Sequence, residues 1–218
     1  IEKQIYEEAL KQAYKQIKNN IIIVKGEAWH KGVLGIVASK IVEKFYKPTI
    51  VISFDSKYGS GSARSVPNID VGQIILKAKN EGFLVKGGGH KMAAGLKISK
   101  KLCHKFEKYL IDLFMNFDSS YFQKIQYYDS YITLDEINID LLNNIERLEP
   151  FGSGNPEPRF IIKNIKLEFA KIIKHKHILL NFKNNYEKII NGISFNSANN
   201  SLGENLIKNK FKRFDIAC

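Results

Sequence analysis

Two short stretches combine residue types suited to holding an anion. Gly87 to Leu96 reads GGGHKMAAGL: three successive glycines strip side chains from the backbone, so an anion can rest against bare N–H groups with His90 and Lys91 beside it. Gly59 to Ser65 reads GSGSARS and sets the hydroxyls of Ser62 and Ser65 on either side of Arg64. Arginine is informative here because its planar fork grips phosphate at two points, which an ammonium cannot do. A glycine triplet alone serves equally well as a flexible turn between core elements. Two polar glycine loops in the same half of the chain point to one site, in which the main-chain amides around Gly88 converge with the Arg64 guanidinium on a shared phosphate.

Both stretches sit in an alternation of strands and helices. Ile21 to Val24 has the continuous apolar character of a strand in a parallel sheet, a GEAWHKG loop follows, and an amphipathic helix over Val33 to Phe45 leads past Pro48 to a strand, Thr49 to Phe54. Such a βαβ unit gathers its loops at one sheet edge, where ligands bind, and Trp29 and His30 lie in that loop. A tryptophan beside a histidine also has a plain packing reading. Asp70 is placed to cap a helix over Val71 to Asn80, and a strand over Ala94 to Ile98 follows the glycines. A helix over Lys100 to Asn116 buries Leu102, Phe106, Leu110, Leu113 and Phe114, with Cys103 packed rather than reactive. A helix over residues 2 to 19, striped by Ile5, Ala9, Leu10, Ala13 and Ile17, precedes them all.

From Tyr121 onward the composition turns to Tyr, Phe, Ile and Asn. Short strands are predicted over Tyr127–Leu134, Arg159–Ile162, Ile165–Ile173, His177–Phe182, Ile189–Phe195 and Phe211–Ala217, with a helix near Ile139–Arg147. That pattern is a small antiparallel barrel or sandwich, entered through a rigid multi-turn stretch, Glu149 to Pro158.

The 218 residues suffice for two modest domains. No apolar run approaches the roughly 20 residues of a membrane helix, so no membrane partner is expected, and no secretory leader pattern opens the chain. Cys103 and Cys218 lack the paired spacing of a zinc site or disulfide framework, which fits a reducing compartment and predicts a cytoplasmic location. A net charge of +12 favours a polyanionic partner, nucleic acid before membrane surface. The excess is nearly all lysine, with only four arginines, and a genome biased towards Lys, Ile and Asn would give the same charge without a binding surface. A first residue that is isoleucine, and a strand that stops at Cys218 without a tail, read as a piece cut from a longer protein.

Together, WHKGVLGIVASK (Trp29 to Lys40), GSARS (Gly61 to Ser65), GGGHKMAAG (Gly87 to Gly95) and LEPFGSGNPEPRF (Leu148 to Phe160) resemble the C-terminal portion of the RecJ family of bacterial single-strand-specific 5′ to 3′ DNA exonucleases. The resemblance implies an α/β DHH-associated domain followed by a small β-barrel, the OB-fold. Residues 1–20 would end an interdomain linker helix, 21–116 form the DHH-associated domain, and 117–218 form the OB-fold-like domain, truncated at its C-terminus. It implies phosphodiester hydrolysis in DNA repair and recombination by a full-length enzyme whose N-terminal DHH domain holds Mn²⁺ or Mg²⁺ on Asp and His clusters. No Asp-His-His occurs in this sequence, so this piece is expected to hold no metal and to position substrate without cutting it.

By the same resemblance Ser62, Arg64 and Ser65 grip the phosphate at the DNA 5′ end, and Gly88, Gly89 and His90 meet the phosphate approaching the metals. His90 is the catalytic candidate, donating a hydrogen bond as charge builds on a nonbridging oxygen. Trp29 and His30 would support the pocket. Hydroxyls, a guanidinium and bare backbone hold phosphate without reading bases, as an exonuclease that accepts any sequence requires. The implied partners are single-stranded DNA and other repair proteins, such as single-strand-binding protein and a helicase. Two other functions would use the same features: a DHH-family phosphoesterase acting on short oligonucleotides or a phosphorylated nucleotide, and a non-catalytic nucleic-acid-binding module, including an editing-type appendage like that of alanyl-tRNA synthetase.

Overall fold

β1 (Ile22–Glu27) and β2 (Thr49–Phe54) carry apolar side chains on both faces, so a stable sheet must cover them from both sides. The computed structural model describes residues 1–152, 154–183 and 189–218 and divides between Ile125 and Gln126 into two units. In the first, β1 and β2 pair in parallel through the crossover helix α2 (Leu34–Phe45), as the βαβ reading predicts. The sheet continues antiparallel through β3 (Tyr58–Arg64), β5 (Ala93–Ser99) and β4 (Lys86–His90), in the order β1-β2-β3-β5-β4. α1 (Glu2–Tyr14) and α2 cover one face, where Ile5, Ala9, Leu34 and Ile41 pack with Ile22, Val24 and Val51. α3 (Val71–Asn80) and α4 (Cys103–Met115) cover the other, where Ile75, Phe106 and Leu110 pack with Ile50, Ile52 and Leu96. Asp70 caps α3 as expected, accepting from Gln73 N at 2.9 Å. Cys103 is buried, and burial with Glu107 close by pushes its thiol up to about 12, which bears out packing over reactivity.

Both stretches expected as loops are strands. GSGSARS is most of β3, interior to the sheet and laddered on both sides, and GGGH is most of β4 at its edge. Weak strand preference predicts neither, but neighbours fill the space that the missing side chains leave. A Cβ on Gly59 would lie 2.7 Å from the Phe54 ring, and one on Gly61 2.9 Å from Leu96.

The first helix stops at Tyr14 and leaves Ile17 exposed, because two glutamines near its end serve the sheet instead. Gln12 donates to Lys25 O at 2.8 Å and accepts from Lys25 N at 3.1 Å; Gln16 does the same with Ile23 at 2.7 and 3.0 Å. Side-chain amides thus pair along the edge of β1 that no strand occupies. Replacing both by alanine is expected to lower the unfolding free energy by about 2–4 kcal/mol, near 1 kcal/mol for each bond lost. Denaturant unfolding checks this, and an unchanged midpoint would mean that water serves that edge equally well.

The second unit is built on β7 (Phe160–Ile173), a single strand where two were expected. Its first half pairs with β10 (Arg213–Ala217) and its second half with β8 (His177–Lys183), which pairs in turn with β9 (Ile189–Ser194). Asn164 at φ 54° and a register shift between Leu167 and Phe169 turn the side chains, so the buried residues are Ile162, Ile165, Leu167 and Ala170 rather than every second one. A strand that changes partner along its length curls the sheet into half a barrel, in keeping with an OB-fold. The expected strand Tyr127–Leu134 shrinks to β6 (Ser130–Tyr131), and α5 (Ile139–Glu146) forms as predicted. α6 (Ser201–Lys208), capped by Asn200, was not foreseen; Asn200 ahead of Leu202, Leu206 and Ile207 was the available signal. In the Glu149–Pro158 stretch Asn155 donates to Leu148 O at 2.7 Å and bridges Gly152, while Ser153 lies outside the described residues.

Candidate phosphate-binding surface

Directly paired residues on neighbouring strands share a sheet face. Register therefore places Ser62, Gly95 and Gly88 in one row across β3, β5 and β4, and Arg64, Ala93 and His90 in the next. With strands about 4.8 Å apart, the ends of each row are about 10 Å from one another. Positions where Cβ atoms of Gly88 and Gly95 would stand have no atom within 4 Å, so this part of the face is open. Ser60 with Lys97 and Lys86 continue the same face in a third row, and both lysines are exposed.

The expected pair therefore shares a face, by a different geometry. Main-chain N–H groups of a strand lie in the sheet plane, so the glycines do not form a nest of converging amides; they flatten the surface. The triplet also divides its labour. Gly88 faces the open side, whereas a Cβ on Gly87 would strike Ile75 at 2.9 Å and one on Gly89 would strike Ala93 O at 2.3 Å.

Arg64 is held by its own strand. Its Nη1 donates to Ser62 Oγ at 3.1 Å and to Ala63 O at 2.9 Å, and among the described residues it forms no ion pair. Such an arginine keeps its full charge and most of its fork for an anion. Arg64 and His90 line one cavity of 520 Å³, whose other walls include Tyr46, Pro67, Met92 and Lys124. His90 is exposed, and its Nδ1 accepts from Met92 N at 3.4 Å, which in the neutral ring leaves Nε2 as the N–H donor.

Two of the expected site residues are turned to other work, and a third stands outside the cavity. Ser65 is buried and its hydroxyl donates to Ile69 O at 2.7 Å, closing the loop between β3 and α3. Trp29 is buried over Gly26 and donates from Nε1 to Glu8 Oε2 at 2.9 Å, which fastens α1 to the sheet. His30 is exposed ahead of the short turn into α2, and neither it nor Trp29 lines the Arg64–His90 cavity. Sequence reasoning missed Gly35, Gly95, Lys86 and Lys97; alternation counted back from His90 would have found Lys86, whereas Gly95 and Lys97 lie on β5 and join the face only through its register with β3 and β4.

The chain matches two families of known domains: the DHHA1 domain over residues 10–116 and the RecJ OB domain over residues 128–218. Among curated proteins it is 29% identical over 184 residues to the single-stranded-DNA-specific exonuclease RecJ of Bacillus subtilis, covering 82% of this chain and 23% of that protein. Against RecJ of Haemophilus influenzae it is 30% identical over 154 residues, 67% of this chain and 26% of the relative. The chain thus spans about a quarter of the length of these relatives. Two crystal structures of Thermus thermophilus RecJ, in complex with Mg²⁺ and with Mn²⁺, superpose with TM-scores of 0.71 at 23% identity, covering 89% and 91% of this chain and 30% and 29% of theirs, which shows a shared fold. Residues 10–116 are a DHHA1 domain, residues 128–218 are a RecJ OB domain, and the chain is homologous to the C-terminal portion of the RecJ single-stranded-DNA-specific exonucleases.

Proposed function

We propose that this chain is the substrate-binding portion of a RecJ-type, metal-dependent 5′ to 3′ exonuclease that works on single-stranded DNA in cytoplasmic repair and recombination. The observation that carries the reading is one cavity lined both by an arginine that forms no ion pair among the described residues and by an exposed histidine, beside an open glycine face. Ser62 and Arg64 hold the 5′-terminal phosphate, while Gly88 and His90 meet the next, with Nε2–H of His90 donating to a nonbridging oxygen as charge accumulates. Tyr46, Pro67 and Met92 leave an apolar wall beyond the phosphate for sugar and base, a wall that does not discriminate among bases. Among the described residues no three His, Cys, Asp or Glu side chains gather to hold a metal ion. On this reading the Mn²⁺ or Mg²⁺ of the whole enzyme is held by the DHH domain that the family resemblance implies, and the part of this chain is to position the DNA.

In the RecJ OB domain, exposed Phe211 and Phe169 have Lys166 and Lys210 at 5.9 and 5.8 Å from their ring centres. Aromatic faces flanked by lysines stack bases and track phosphates without sequence preference. The test is titration of a 5′-phosphorylated strand of about 20 nucleotides, a length set by the several nucleotides each OB-fold occupies. Affinity should fall steeply as salt rises, because bound lysines release counterions. Replacing Phe169 and Phe211 by alanine should weaken it about ten-fold through lost stacking. Salt-insensitive binding, or a dinucleotide bound as tightly as the long strand, would overturn the proposal.

A further inference from the structure

Resting on the phosphate reading above, we infer that Gly35 is a positioning residue: by lacking a side chain it keeps open the Nε/Nη2 edge with which Arg64 takes a terminal phosphate. Nη1 of Arg64 spends its two hydrogens on Ser62 Oγ and Ala63 O. Nε and Nη2 have no partner among the described residues, and together they form the side-on fork that matches two phosphate oxygens. The first turn of α2 lies against that fork. A Cβ on Gly35 would stand 2.7 Å from Arg64 Nη2, 3.4 Å from its Cζ and 3.3 Å from Ser62 Oγ.

The backbone does not need glycine there, since Gly35 lies in the first turn of α2 and has no positive φ. Alanine is also the better helix former. What Gly35 supplies is room at one guanidinium nitrogen, so its replacement swings the fork away from the position that Nη1 fixes. Gly35 thereby tunes how well a phosphorylated end is told from a hydroxyl end, without touching the strand elsewhere.

The experiment compares affinities of this chain for 5′-phosphorylated and 5′-hydroxyl single strands, in Gly35→Ala, Arg64→Lys, Arg64→Ala and the Gly35→Ala/Arg64→Lys double variant, with a melting curve for each. Gly35→Ala should cut the phosphate preference about ten-fold, the worth of one charge-assisted bond, with the melting temperature unchanged or raised. In the Arg64→Lys background Gly35→Ala should do nothing further, because lysine has no Nη2 to displace. Preference kept in Gly35→Ala but lost in Arg64→Ala overturns this inference and spares the phosphate reading. Preference untouched by Arg64→Ala overturns the phosphate reading itself. If Gly35→Ala unfolds the chain, recovery of the fold on adding Arg64→Lys supports the contact, and failure to recover refutes it.

Discussion

Arg64→Ala is expected to lower affinity for a 5′-phosphorylated single strand about 100-fold, while a 5′-hydroxyl strand loses about three-fold or less. Two charge-assisted hydrogen bonds at about 1.5 kcal/mol each give about 3 kcal/mol, hence the factor of 100. The fold should survive, because the side chain is half-exposed and its bonds are to its own strand. Arg64→Lys should recover only part of the loss, since an ammonium keeps the charge and forfeits the fork. Equilibrium binding to the two labelled strands decides the matter. Equal losses at both ends would make Arg64 a general strand contact and remove it from the terminal site.

Gly89→Ala and Gly88→Ala should fail in opposite ways although they are adjacent. At Gly89 the new methyl would lie 2.3 Å from Ala93 O and 2.4 Å from Ala94 Cα, both backbone of the partner strand in the same hairpin. Backbone cannot yield as a flexible side chain does, so the variant should lose about 3 kcal/mol of stability, the upper part of the usual overpacking range. At Gly88 nothing lies within 4 Å, and stability should change by less than about 1 kcal/mol, as at other open surface positions. The methyl there would rise from the open face, so DNA binding falls while the melting temperature holds. Denaturant unfolding beside strand binding separates the two, and matching stability losses would refute the β4–β5 register.

The fold was legible wherever local periodicity and burial agreed. β2 and α3 fall on their predicted residues, and the parallel βαβ unit follows from apolar runs on either side of an amphipathic helix. The two stretches richest in glycine were misread as loops because loss of side chains looks the same in a turn and in a crowded strand. Ser65, Trp29 and His30 were drawn into the site by their chemistry, and the hydrogen bonds of the first two tie them elsewhere.

By itself the sequence determined the βαβ unit and α3, the division into an α/β half and a β-rich half, and the residue types able to hold phosphate. It also carried the motifs by which the homology to RecJ is recognised. Only the tertiary structure decided that GSGSARS and GGGH are neighbours of β5, that Ser62, Arg64, Gly88 and His90 share one sheet face, and that Gly35 leaves space for Arg64. The reason is that a glycine-rich segment has little conformational preference of its own, so strands distant in sequence supply the ladder bonds that fix which way each side chain points.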